Sequence, residues 1–184
     1  MPRVILIIFI LNFYNVVFSS TKNEIIYKLK QTKNLSFDFI QTINEKNENG
    51  SCIIEYPKKI YCTYNNLNQK IIVSNGKSLV IKNTLSNQYY IYPLKKTPLN
   101  LILDKNFLIN QIKKLEPRII DNKYLNFTII KEDYEVNLFF NNKTLNLIGW
   151  QTQDIYQNLV ITFISKIKIN RNIDQSIFKL PSLD

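Results

Sequence analysis

The sequence predicts a mainly β chain of the α+β kind, with one strongly curved antiparallel sheet of roughly ten or eleven strands and about three short helices. Two observations lead there. Segments alternating with a period of two recur from Leu35 to Ile169, separated by turn-forming residues. Between the two groups of strands lies an apolar stretch opened by Thr97-Pro98, whose spacing is helical. A sheet of that many strands must curl or close, and helices set among them can plug its concave side.

The elements follow in order. Thr21 and Glu24 have the spacing of a capping box, and Ile25, Ile26 and Leu29 form the apolar stripe of a first helix. Leu35, Phe37, Phe39, Gln41 and Ile43 then share one face of a strand. A Glu48-Asn49-Gly50 turn leads to a strand over Cys52–Tyr56, Pro57-Lys58-Lys59 breaks the chain, and Ile60–Tyr64 returns. Gln69–Ser74 and Lys77–Asn83 flank Asn75-Gly76, the signature of a type I′ hairpin, and Gln88–Tyr92 supplies another strand. After Thr97-Pro98 and its apolar run to Leu103, a helix over Asn106–Leu115 places Phe107, Leu108, Ile112 and Leu115 at helical spacing before Glu116-Pro117 stops it. Strands over Tyr124–Ile130, Tyr134–Phe140, Thr144–Gln151 and Asn158–Ile169 complete the pattern, with turns at Lys131 to Asp133, Asn141-Asn142 and Asp154 to Gln157.

The amino terminus reads as a cleaved secretory signal over residues 1–19: Arg3 is the positive start, Val4 to Phe18 is apolar apart from Asn12 and Asn15, and Val17-Phe18-Ser19 offers a cleavage site. The run is shorter than the ~18 residues a spanning helix needs. Residues 20–184 then form a single expected domain, soluble because no Cys follows the cleavage site to carry a lipid. The formal charge of +10 falls to +9 when Arg3 leaves. The lysines are scattered among asparagines and isoleucines with no arginine-rich stripe, so nucleic acid is not an expected partner. Cys52 and Cys62 are the only cysteines; in an oxidising compartment they either pair or remain two buried thiols. A tight turn at Pro57-Lys58-Lys59 would set Cys52 opposite Tyr64, so pairing would require a bulge or a longer loop.

The inventory for catalysis is poor. The chain has no His, three glycines in no phosphate-loop arrangement, no nucleophile elbow and no Cys/His metal spacing. Glu45, Glu48, Glu132, Asp133 and Glu135 sit in or beside expected turns, and Ser78 beside Lys77 and Lys82 is only a neighbour in sequence. Neither an enzyme, nor a cofactor, nor a metal is expected.

Phe39-Ile40-Gln41, a glycine at the next strand entry, the Tyr56-Pro57 break, Ile72 through Leu79 with Ser74-Asn75-Gly76-Lys77, and Thr97-Pro98-Leu99 with Leu101-Ile102-Leu103 resemble, in that order, the periplasmic outer-membrane lipoprotein carrier family, LolA. Gly149-Trp150 with Asp154, and Ile173-Asp174 followed by Phe178, resemble the family's last hairpin and tail. The resemblance implies an unclosed β-barrel with a three-helix lid, and a monomeric periplasmic chaperone. Such a carrier holds lipoprotein acyl chains in an apolar cavity and shuttles them from the inner to the outer membrane. Its implied partners are acylated lipoproteins, an inner-membrane lipoprotein-releasing ABC transporter and an outer-membrane lipoprotein acceptor. The alternative is a periplasmic lipid- or lipoprotein-sensing regulatory module of the same fold; those chains carry a second domain, whereas this one ends at Asp184.

The candidate cavity lining is Leu35, Phe37, Phe39, Tyr89 and Ile91, and the candidate lid residues are Ile25, Leu29, Leu99, Leu101, Ile102 and Phe107. Tyr56 stands where well-studied members place an arginine that latches the lid; its hydroxyl supplies one donor in place of a guanidinium fork, hence a weaker latch.

Overall fold

The computed structural model describes residues 20–65, 69–86, 88–154 and 156–181; the signal expected over residues 1–19 lies outside them. Helix α1 spans residues 20–31, so Thr21 lies inside its first turn rather than at a cap. Six strands follow as a meander: β1 (Asn34–Ile43), β2 (Lys46–Glu55), β3 (Lys59–Tyr64), β4 (Lys70–Asn75), β5 (Ser78–Asn83) and β6 (Tyr89–Pro93). A 3₁₀ turn (Leu94–Lys96), α2 (Leu99–Ile102) and α3 (Lys105–Lys114) lead to a second meander. That meander comprises β7 (Arg118–Ile120), β8 (Tyr124–Lys131), β9 (Tyr134–Asn141), β10 (Leu147–Gln153) and β11 (Leu159–Ile169). All belong to one antiparallel sheet ordered β6-β5-β4-β3-β2-β1-β11-β10-β9-β8-β7. Its edges, β6 and β7, do not pair with each other, and the sheet remains an unclosed barrel. Strand β7, three residues long, has no counterpart in the sequence reading.

Three turns differ from expectation. Glu48-Asn49-Gly50 is not a turn but part of β2, and the β1–β2 loop is Asn44-Glu45, both with positive φ. Asn adopts this left-handed region more readily than most residues. In the β4–β5 hairpin only Gly76 has positive φ, at 96°, which is the pattern of a type II′ rather than a type I′ loop. The β2–β3 loop is Tyr56-Pro57-Lys58, one residue earlier than expected, with a cis Tyr56-Pro57 bond and Lys58 at φ 67°.

On the concave face, α1 buries Ile25, Ile26 and Leu29, and α3 buries Leu108, Ile109 and Ile112. They join Phe127, Leu138 and Phe140 in one apolar cluster. The two helices run antiparallel and are tied at both ends. Lys22 Nζ donates to Leu115 O at 3.1 Å and pairs with Glu116 at 2.6 Å, while Lys105 Nζ donates to Thr32 O at 2.7 Å. Each lysine meets carbonyls at a helix C-terminal side, where the dipole favours a cation. Register shifts between Ser36 and Asp38 and between Leu147 and Gly149 interrupt the β1–β11 and β9–β10 ladders, where such irregularities bend strands and raise twist. The carboxy-terminal segment packs on β3 and β4, with Phe178 buried and the Tyr89 hydroxyl donating to Pro181 O at 3.0 Å.

Candidate functional site

Concave positions line up across the first meander in tiers. Leu35, Ile54, Ile60, Ser74, Leu79 and Tyr92 form one, and Phe37, Cys52, Cys62, Ile72, Ile81 and Tyr90 form the next. Phe39 and Tyr64 flank Gly50 in the third, and Gln41 lies opposite Glu48 in the fourth. Beyond β1, Gln41 faces Thr162 of β11, which in turn faces Trp150 of β10.

The helices do not fill this region. A cavity of about 400 Å³ remains, floored by the second tier from Cys52 to Tyr90 and bordered by Thr97, Pro98 and Leu99 at the start of α2. On its other side stand Trp150 and Thr162. Phe39 and Tyr64 meet edge-on at 4.9 Å between ring centroids across Gly50. Alternation places every second residue inward on each strand, so the sheet presents a largely aliphatic and aromatic wall.

Polar groups gather toward one end. The Tyr64 hydroxyl donates to Gln41 Oε1 at 3.1 Å, and Gln41 Nε2 donates to Thr162 Oγ1 at 3.0 Å. Lys70 Nζ lies 3.8 Å from the Tyr64 ring centroid and 2.5 Å from Glu48 Oε2. Burial, and secondarily the Glu48 charge, push the Tyr64 phenol above its ordinary range, so it remains a neutral donor.

The predicted site residues separate into three groups. Phe39 and Leu99 line the cavity. Leu35 and Phe37 share the inward face of β1 but are sealed in the apolar cluster, Phe37 against Trp150 with centroids 6.0 Å apart. Among the lid residues, Ile25, Leu29, Leu101 and Ile102 are buried and Phe107 half-buried, all within or against the cluster rather than on the cavity. Tyr89 and Ile91 are corrected: they face the opposite side, Ile91 half exposed, and Tyr90 and Tyr92 line the cavity. A run of Tyr-Tyr-Ile-Tyr carries no polar residue to mark its solvent face, and a slip of one residue reverses every side chain. Sequence reading missed Tyr64, Ile72, Trp150 and Thr162; each has a position on an alternating strand as its only signal.

Cys52 and Cys62 are direct cross-strand partners on the cavity floor and are joined by a disulfide. The early β2–β3 turn brings them into register without a bulge. The bond closes a short loop, with a sequence separation of 10, and reduction is expected to lower stability by about 2–3 kcal/mol through the restored entropy of the unfolded chain. Denaturation midpoints with and without reductant check this.

Among the described residues, the bonds to the lid are made beside Tyr56, at the next turn position but one. The Tyr56 ring packs against the core and Lys105 Nζ stands 5.6 Å from its centroid. The Lys58 N–H donates to Leu103 O at 2.9 Å, and Lys58 Nζ pairs with Asp104 at 3.5 Å. Asp104 also caps α3, accepting from Phe107 N–H at 3.0 Å. Asp104→Ala is expected to cost about 1–2 kcal/mol locally, the sum of a cap and a half-exposed ion pair. Amide exchange should accelerate across residues 105–114 in Asp104→Ala, whereas Tyr56→Phe should leave it unchanged.

The chain is similar to known proteins. The family described as outer membrane lipoprotein carrier protein LolA matches residues 30–181. An uncharacterized conserved protein from Thermus thermophilus has the same fold, with a TM-score of 0.52 at 9% identity over 89% of this chain and 94% of its own. A LolA superfamily protein from Nitrosomonas europaea matches with a TM-score of 0.44 at 12% identity, over 86% of this chain and 97% of its own. The MucA/MucB complex structure from Pseudomonas aeruginosa matches with a TM-score of 0.47 at 11% identity, over 90% of this chain and 61% of that one. No curated protein matches the sequence.

Proposed function

Because the chain belongs to the LolA family of outer membrane lipoprotein carrier proteins, we propose that it is a periplasmic, non-enzymatic carrier that takes lipoprotein acyl chains into the cavity beneath α2. Residues 1–19 would direct export and residues 20–184 would act as one carrier domain. Cargo would arrive from an inner-membrane lipoprotein-releasing ABC transporter and leave for an outer-membrane lipoprotein acceptor.

The observation that carries the reading is the apolar cavity of about 400 Å³ left beside a tightly packed helical plug. Shielding a chain from water is worth about 0.8 kcal/mol per methylene. A carrier therefore needs an apolar recess with a border that yields. Thr97, Pro98 and Leu99 supply such a border, since α2 is a single turn of four residues. The α1–α3 pair, tied at both ends, would stay in place while α2 moves.

Native mass spectrometry of the mature protein purified from a periplasmic extract tests the proposal. A one-to-one complex with an acylated lipoprotein is the expected result. An empty protein that also fails to extract lipoprotein from inner-membrane vesicles would overturn the carrier reading and favour the sensing module.

A further inference from the structure

We infer that the surface around the carboxy-terminal end of α1 is a docking site for an anionic phospholipid bilayer. It is separate from the cavity, since none of the residues that form it lines that recess.

Hydrogen bonds gather several segments of the chain at this end. Asn170 Oδ1 accepts from the Lys33 N–H at 2.7 Å, and Asn170 Nδ2 donates to Gln31 O at 2.9 Å. Asn34 Nδ2 donates to Arg171 O at 3.0 Å, and Lys28 Nζ donates to Thr144 O at 2.7 Å. The end of α1, the start of β1, the end of β11 and the β9–β10 turn therefore share one surface. On it Lys30, Lys33, Lys143, Lys168 and Arg171 are exposed, and none of them is in an ion pair among the described residues.

The carboxylates nearby do not cancel these cations, because each is matched by another one. Glu24 pairs with Lys28, Glu55 with Lys59, Asp104 with Lys58 and Asp38 with Lys166. Lys179 stands beside Asp174, and Lys123 is two residues from Asp121 on the β7–β8 turn. Lys105 adds a further positive charge, directed at Lys30 O and Thr32 O. The surface is therefore a concentrated share of a formal charge of +10. Each lysine or arginine brought against an anionic leaflet raises partitioning about fivefold.

Apolar side chains decide between a bilayer and a soluble polyanion. Tyr27 is 61% exposed and Ile169 53% exposed. Tyr27 precedes Lys30 and Gln31 by one helical turn, so it shares their face of α1, away from the buried Ile25, Ile26 and Leu29. Ile169 lies between Lys168 and Asn170. An aromatic and an aliphatic group set among cations enter the headgroup layer while the cations meet phosphates. A soluble acidic chain gives them no comparable burial, and a second copy of this chain would bring like charges together.

Co-sedimentation of the purified protein with phosphatidylcholine vesicles, with and without about 30% phosphatidylglycerol, tests the inference. Binding is expected on the mixed vesicles in about 50 mM salt, and should be largely lost in about 500 mM salt or on phosphatidylcholine alone. Lys30→Gln combined with Lys168→Gln should weaken it about 20-fold. Lys113→Gln combined with Lys114→Gln removes the same charge at the opposite end of the helix pair, beside Lys22, and should leave binding within about threefold of the parent. Tyr27→Ser with Ile169→Ser should weaken vesicle binding several-fold and leave binding to soluble polyglutamate unchanged. Equal losses in the two lysine pairs would reduce the effect to net charge and overturn the docking surface. Failure to bind the mixed vesicles would overturn it as well. Polyglutamate binding as tightly as the vesicles, with the Tyr27 and Ile169 substitutions silent on both, would overturn the bilayer in favour of an acidic protein.

Discussion

Gly50→Ala is expected to destabilise the fold by about 3 kcal/mol, the upper end of what overpacking costs. Gly50 sits mid-strand in β2, paired with Phe39 on one side and Tyr64 on the other. A Cβ there would lie 2.0 Å from Thr63 O, a backbone atom, and 3.0 Å from two ring carbons of Phe39. Retreat of Phe39 would open the edge-on contact with Tyr64, and retreat of Thr63 would break the β2–β3 ladder beside the Cys52–Cys62 bond. Urea unfolding of the variant measures the loss. A midpoint unchanged from the parent would show that the strand relaxes freely, contrary to this packing.

Ile72→Trp is expected to weaken acyl-chain binding about 30-fold while leaving the unfolding midpoint near that of the parent. Ile72 belongs to the cavity floor and is only partly buried, so the larger ring has empty space to grow into. It would displace two or three methylenes of ligand at about 0.8 kcal/mol each, a loss of about 2 kcal/mol. Fluorescence titration with a monoacyl probe reads the affinity. Parental affinity in a folded variant would place the chain elsewhere on the molecule.

Much of the fold was legible because burial on one face of a strand imposes a period of two, and ten of the eleven strands showed it. The missing strand, β7, has only three residues, too few for a period to register. The site was less legible because periodicity gives alternation without absolute phase. On β1, Gln41 and Thr42 told little, but the aromatic pair Phe37 and Phe39 identified the inward face. On β6 nothing did, and Tyr90 and Tyr92 were exchanged for Tyr89 and Ile91. Gly50 reads as a turn residue because a glycine required by the close approach of Thr63 O and the Phe39 ring looks, in sequence, the same as one required by positive φ. The role of Lys58 as a lid anchor leaves no mark in the sequence because it depends on a backbone N–H directed at Leu103, which no side-chain pattern records.

The central seam of the sheet has a consequence for how the protein is made. Every other strand pairs with a neighbour that comes next in the chain, but β1 pairs on one side with β11, joining Leu35 to Ile169. As the chain emerges amino-terminus first, β1 to β6 are complete while one edge of β1 still has no strand beside it. An unpaired edge carrying Phe37 and Phe39 on one face is a template for association with other chains. The β1–β11 pairing is therefore the one long-range closure of the sheet, and until β11 arrives one edge of β1 stays open.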